Sequence, residues 1–216
     1  MEGYPDNVRS GGFVGEFESY CASELISLGL VRQEWRVGRP GNIQMLVFEV
    51  LKNRYILGGY DTKELDVLYN ASTSGPLIGI SVKTMMSSIN KNVNNRWEEM
   101  VGDAANIHSR YPMLVLGFLM VLPYRTGKNV IIDSSGQPTD LARMIERKLL
   151  GVSGRSDISQ LHSTYERAAL AVIDFDATAP ARPSIHPDFP SEPLRLDSFF
   201  DELVNLYKRR NPYLPL

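Results

Sequence analysis

Apolar residues recur at helical spacing over residues 13–30. Phe17, Tyr20, Leu25, Ile26 and Leu28 supply the apolar surface, with Glu16, Glu18 and Glu24 set among them. This pattern predicts a helix that stops at Gly29. Residues 31–37 read as a short strand, residues 38–42 as a loop containing Gly38, Pro40 and Gly41, and the apolar residues 43–52 suit either a strand or a helix. Residues 65–69 and 77–84 read as two strands joined by a turn at 72–76, close enough to form an antiparallel hairpin. Helical periodicity returns over 92–110, where Val93, Trp97, Met100, Val101, Ala104 and His108 share one side, and Tyr111-Pro112 ends it. The nearly unbroken apolar run 113–122 has the character of a strand buried on both faces. Residues 139–150 and 157–169 read as two further helices, 169–175 as a strand, and 194–209 as a closing amphipathic helix. Between the last two, residues 176–193 hold five of the 13 prolines and read as a wrapping segment, while residues 1–12 read as loosely ordered. The order predicts an α/β fold, a mixed central sheet flanked by helices. A single domain over 1–216 is expected, with a core at 13–122 and an added part at 123–216.

Composition narrows this picture only a little. The 216 residues are 43% hydrophobic and 22% charged, ordinary values for one globular domain. The formal net charge of −2 gives no overall basic character, so any nucleic-acid surface has to be a local patch. The lone cysteine, Cys21, excludes a disulfide framework within the chain and a cysteine zinc site, and its expected role is that of a small buried apolar residue. His108, His162 and His186 are scattered without ligand spacing. The N-terminal residues lack the basic and apolar regions of a signal peptide, and the run 113–122 is too short to span a bilayer as a helix. A soluble, cytoplasmic protein is therefore expected. Gly127-Lys128 lacks the glycine pattern of a phosphate loop, and Lys208, Arg209 and Arg210 read as a charge cluster at a helix C-terminus.

The chemistry lies in the predicted hairpin. Alternation sends Ile78, Ile80 and Val82 to one face of the second strand and Gly79, Ser81 and Lys83 to the other. An ammonium at the end of a buried strand is costly unless an anion meets it. On the neighbouring strand, Asp66 is placed to do so. A carboxylate beside a lysine suits phosphodiester hydrolysis: the acid helps hold Mg²⁺, the metal lowers the pKa of a bound water, and the lysine stabilises charge growing on the phosphate. The alternative is a structural ion pair at a strand end.

Asp66, followed 17 positions later by Lys83 in Ser81-Val82-Lys83, resembles the motif of the PD-(D/E)XK nuclease superfamily, which includes many type II restriction endonucleases. The resemblance covers residues 13–122 and implies a restriction endonuclease-like core. It implies an Mg²⁺-dependent endonuclease acting on double-stranded DNA as a homodimer or higher assembly, with Asp66, Lys83 and a further acid as catalytic residues. Serine stands at position 81, where the motif has its second acid. In similar enzymes that read Ser-Val-Lys, the acid comes from the following helix, which points here to Glu98, with Glu99 as the alternative. A metal-holding acid from the first helix points to Glu16, with Glu18 and Glu24 behind it, against the reading of a solvated surface glutamate. Ser81, Ser87, Ser88, Asn90, Lys91, Asn92, Asn94, Asn95 and Arg96 supply hydroxyls, amides and cations of the kind that contact phosphates and base edges. The alternative there is an Asn-rich loop and helix cap. Competing functions on the same fold are a non-catalytic DNA-binding or assembly protein and a non-specific or junction-specific nuclease.

Overall fold

The computed structural model describes residues 11–39, 42–175 and 184–214. The elements in chain order are α1 (Gly11–Ser27), β1 (Gln33–Arg39), β2 (Asn42–Leu57), β3 (Thr62–Ala71), β4 (Gly75–Thr84) and α2 (Ile89–Arg110). They continue with β5 (Val115–Pro123), β6 (Arg125–Thr126), β7 (Asn129–Val130), α3 (Asp140–Gly151), β8 (Arg167–Asp174), β9 (Ser184–Ile185), a 3₁₀ turn (Glu192–Leu194) and α4 (Leu196–Arg210).

Seven strands form one sheet in the order β1-β2-β3-β4-β5-β8-β9, and β6 and β7 pair separately. β1 through β4 are antiparallel neighbours, β4, β5 and β8 run parallel, and β9 closes the far edge antiparallel. The parallel pairs need crossovers, and α2 and α3 supply them. Every residue of β5 is buried, as expected of a parallel strand covered on both faces.

Each face of the sheet carries its own apolar cluster. On one, Ile78, Ile80 and Val82 of β4 join Leu119 and Val121 of β5 beneath Cys21 and Leu25 of α1 and Phe199 and Leu203 of α4. On the other, Leu116, Phe118 and Met120 of β5 meet Val93, Met100 and Ala104 of α2 and Ile145 and Leu149 of α3. The strand alternation read in β4 is therefore realised. Gly117 lets α4 approach the sheet: a Cβ there would lie 2.8 Å from both Leu203 and Phe199 side chains.

One open reading is decided and one expectation changes. The apolar residues 43–52 belong to a strand, and it is a long one, Asn42–Leu57. The helix expected over 157–169 does not form: residues 157–166 are turns and loop, and β8 begins at Arg167. Local side chains hold that backbone in another shape. Asp157 Oδ1 accepts from the Ser159 N–H and hydroxyl, and Gln160 Oε1 accepts from the N–H groups of Ser156 and Asp157. Ile158 and Leu161 of this stretch are exposed and form no buried stripe. The proline-rich segment lies partly outside the described residues, as does most of the loose N-terminal segment; from Ser184 on, the former contributes β9 and the 3₁₀ turn. No helix is long and apolar enough to cross a membrane among the described residues.

A second structural centre, unread in the sequence, is a buried ion network around Glu166 at the entry to β8. Glu166 Oε1 accepts from Arg155 and, at 2.8 Å, from Arg210; Oε2 accepts from the Leu116 N–H at 2.8 Å and lies 3.2 Å from His108 Nε2. The Glu166, Arg155 and His108 side chains are wholly buried. Burial alone would raise the Glu166 carboxyl, but the His108 hydrogen bond and charge, the Arg210 charge and the Leu116 N–H outweigh it and hold the carboxyl below its ordinary value. One carboxylate thus ties together β5, α2, α4 and the loop before β8.

Candidate functional site

The central sheet opens at Asp66. Between β2 and β3, Lys52 pairs with Val67 and Arg54 with Leu65, but the rung between them is unpaired, and Asn53 there adopts a left-handed backbone with φ 51°. Between β3 and β4 the last paired rung toward this end is Val67 with Ile80. Beyond it the Val82 N–H donates to Asp66 Oδ2 at 2.6 Å, so a side-chain carboxylate serves β4 where the ladder has ended. The alternation of β3 breaks at the same place: Leu65 and Leu68, three residues apart, both pack on the α2 and α3 side.

This local break decides the electrostatics. Desolvation raises the Asp66 pKa above its ordinary value; the Val82 N–H and the Lys83 charge pull it down, and Glu18 and Glu64 push it up. Lys83 is half-buried beside Met120 of β5, close enough for its charge to be felt at Asp66, though the two do not form a salt bridge. The carboxylate is thus held by one short backbone hydrogen bond and remains short of positive charge.

Of the acids named from the sequence, the second choices Glu18 and Glu99 lie toward the hairpin, and the first choices Glu16 and Glu98 are exposed. Glu16 is exposed and lines a surface cavity with Phe13, Phe17, Tyr20 and Phe175, apart from the hairpin. Glu18 is the acid of α1 that faces Asp66. It is only 8% exposed, accepts from Asn53 Nδ2 at 3.1 Å, and lies 4.0 Å from Lys52 Nζ. Helical spacing carried a signal for this: Val14, Glu18, Cys21 and Leu25 recur at i+3 and i+4, on the stripe that packs against the sheet.

On α2, Glu98 is exposed. Glu99 is half-buried, bonded by Arg96 and 3.9 Å from Lys63 of β3. Asp103, one turn on, pairs with the same Lys63 at 2.7 Å. Desolvation raises the Asp103 pKa, the Lys63 hydrogen bond and charge lower it, and Glu99 raises it and Lys83 lowers it further. The helix therefore turns Arg96, Glu99 and Asp103 toward the hairpin, and Lys63 and Asp103 join the candidate site although sequence reading passed over both. Among the described residues no group of three or more His, Cys, Asp or Glu side chains is set to hold a metal ion, so Asp66, Glu98, Glu99 and Glu16 do not converge.

The polar segment after Lys83 lies at the surface. Ser87, Ser88, Asn90, Lys91, Asn92, Asn94 and Asn95 are exposed, whereas Ser81 is buried and Arg96 is half-buried. Ser88 is the N-cap of α2 with φ 50°, and its side chain makes no capping bond. The Asn90 N–H instead donates to Asn129 Oδ1 at 3.0 Å, a cap supplied from β7. The asparagines of this turn are thus not consumed in capping. No family model, curated protein or solved structure matches the chain.

Proposed function

We propose that this chain is an Mg²⁺-dependent DNA endonuclease of the type II restriction kind, acting at Asp66 and Lys83. The observation that carries the reading is the desolvated, under-compensated Asp66 carboxylate at the opened end of a hairpin, with Lys83 on the next strand. Mg²⁺ keeps several waters and binds through one or two carboxylates, a demand that Asp66 and Glu18 fit. A cation there would relieve the desolvation that raises Asp66. When bound, the metal supplies a polarised phosphate and a more acidic water.

The chain's own residues do the rest. The Val82 N–H fixes Asp66 Oδ2 and leaves Oδ1 for a ligand. Lys83 brings a cation to the same edge, where charge developing on a phosphate is stabilised. Glu99 and Asp103 hold Arg96 and Lys63 at the rim. The exposed hydroxyls and amides from Ser87 to Asn95 suit contact with duplex DNA. Cutting both strands calls for two such sites, hence a homodimer or higher assembly.

A second reading, a non-catalytic DNA-binding or assembly protein, draws support from Ser81 and from the lack of a three-acid group among the described residues. Asp66→Ala and Lys83→Ala separate the two. An enzyme loses cleavage and keeps DNA affinity; a binder has no metal-dependent cleavage to lose.

A further inference from the structure

The parallel strands β4 and β5 end side by side, at Thr84 and Pro123, and the small β6–β7 hairpin stands directly beyond them. It is fastened from both sides. Thr126 Oγ1 donates to the Met86 carbonyl at 2.7 Å, and Asn129 Oδ1 takes the Asn90 N–H. Behind it, Ile131 and Ile132 are fully buried, and their N–H groups donate to the Tyr124 carbonyl at 2.8 and 3.1 Å. The hairpin is thus a rigid lip against the segment that follows Lys83.

Two of its exposed side chains are cations. Arg125 and Lys128 are exposed, Gly127 makes the turn with φ 55°, and Lys91 is exposed on the adjoining first turn of α2. None of the three enters an ion pair with a described residue. Other cations of the chain do meet carboxylates, among them Arg32, Lys52, Lys63, Arg96, Arg155 and Arg167. The nearby Asp133 is occupied with Ser135 and Gln137 through its Oδ1. In a chain of net charge −2, three unpaired cations on one fixed edge complement an extended polyanion with separated charges.

We propose that the β6–β7 hairpin, with Lys91, grips the phosphate backbone of duplex DNA where it passes Lys83. This rests on the DNA reading above and adds an element, and two residues, outside the segment that followed from the sequence. Such contacts fix the position of the duplex without reading its sequence.

The test is the salt dependence of binding, measured by fluorescence anisotropy with a labelled duplex in EDTA, so that no cleavage intervenes. Each phosphate contact contributes about 0.9 to the slope of log affinity against log salt, so Arg125→Ala with Lys128→Ala lowers the slope by about 1.8. Between about 50 and about 200 mM salt, the unaltered chain then loses roughly 12-fold more affinity than the double variant. Arg125→Lys with Lys128→Arg keeps the original slope. An unchanged slope in the double alanine variant overturns the hairpin proposal and leaves the nuclease reading standing. Absence of duplex binding by the unaltered chain overturns both.

Discussion

Replacing Glu166 with glutamine keeps the shape of the side chain and removes its charge. Two guanidiniums then lose their counter-charge: Arg155, whose side chain is wholly buried, and Arg210, at 7% exposure. The new amide group also sets a donor against a donor. Whichever way it turns, it faces either the Leu116 N–H and His108 or the two arginines. Breaking a buried pair from one side costs about 3–5 kcal/mol, because an uncompensated charge stays in the interior. In a domain of this size each kcal/mol lowers the melting temperature by about 2–4 °C, so a drop of roughly 6–20 °C is expected. Differential scanning calorimetry and urea unfolding measure it. The surface pair Arg167–Glu202 is the control, and Glu202→Gln should cost at most about 1 kcal/mol. The acid limb gives a second check. The folded Glu166 pKa is lowered, so its stabilisation is present above the unfolded value, about 4.3, and is lost as pH falls through the folded value. The variant lacks that component of acid sensitivity. A loss below about 1 kcal/mol, with an unchanged acid limb, would refute the claim that this network ties the sheet to its helices.

Asp66 has the opposite sign. Its folded pKa is raised, so its charge opposes folding above that pKa, and the penalty disappears as pH falls through it. Asp66→Asn should therefore unfold at the same or a higher temperature at neutral pH. Added Mg²⁺ should raise the melting temperature of the unaltered chain but not that of the variant; a destabilised variant with an intact Mg²⁺ effect would contradict this. Gly58→Ala places a Cβ 2.4 Å from the Asn106 amide, which accepts from the Tyr60 and Asp61 N–H groups and donates to the Asp61 carbonyl. Urea unfolding should show a loss of about 1–3 kcal/mol, and no loss would mean that the β2–β3 turn is not set by Asn106.

What the sequence disclosed follows from which interactions are periodic. The β3–β4 hairpin, the buried β5 and the apolar stripe of α2 were all legible, because strand and helix periods mark the face that is buried. The helix expected over 157–169 does not form because Asp157 and Gln160 satisfy the backbone in turns, a local choice that periodicity does not mark. At the site, Asp66 and Lys83 stood out as charges on a strand pair. The unpaired β2–β3 rung at Asn53, whose side chain donates to Glu18, has no periodic mark in the sequence. Glu98 followed from its spacing to the motif and Glu16 from the first-helix acid that the resemblance implies; burial favours Glu18 and the Glu99–Asp103 face. Lys63, the cation shared by that face, carries no sequence mark that distinguishes it from a solvated strand lysine.

The central claim, that Asp66 and Lys83 form a metal-dependent nuclease centre, is tested most directly by incubating the purified chain with plasmid and phage DNA in Mg²⁺ or in EDTA. Asp66→Ala and Lys83→Ala run alongside. The account predicts cleavage in Mg²⁺ alone and its loss in both variants. Intact DNA in Mg²⁺ across all substrates, or cleavage by either variant at the rate of the unaltered chain, would contradict it.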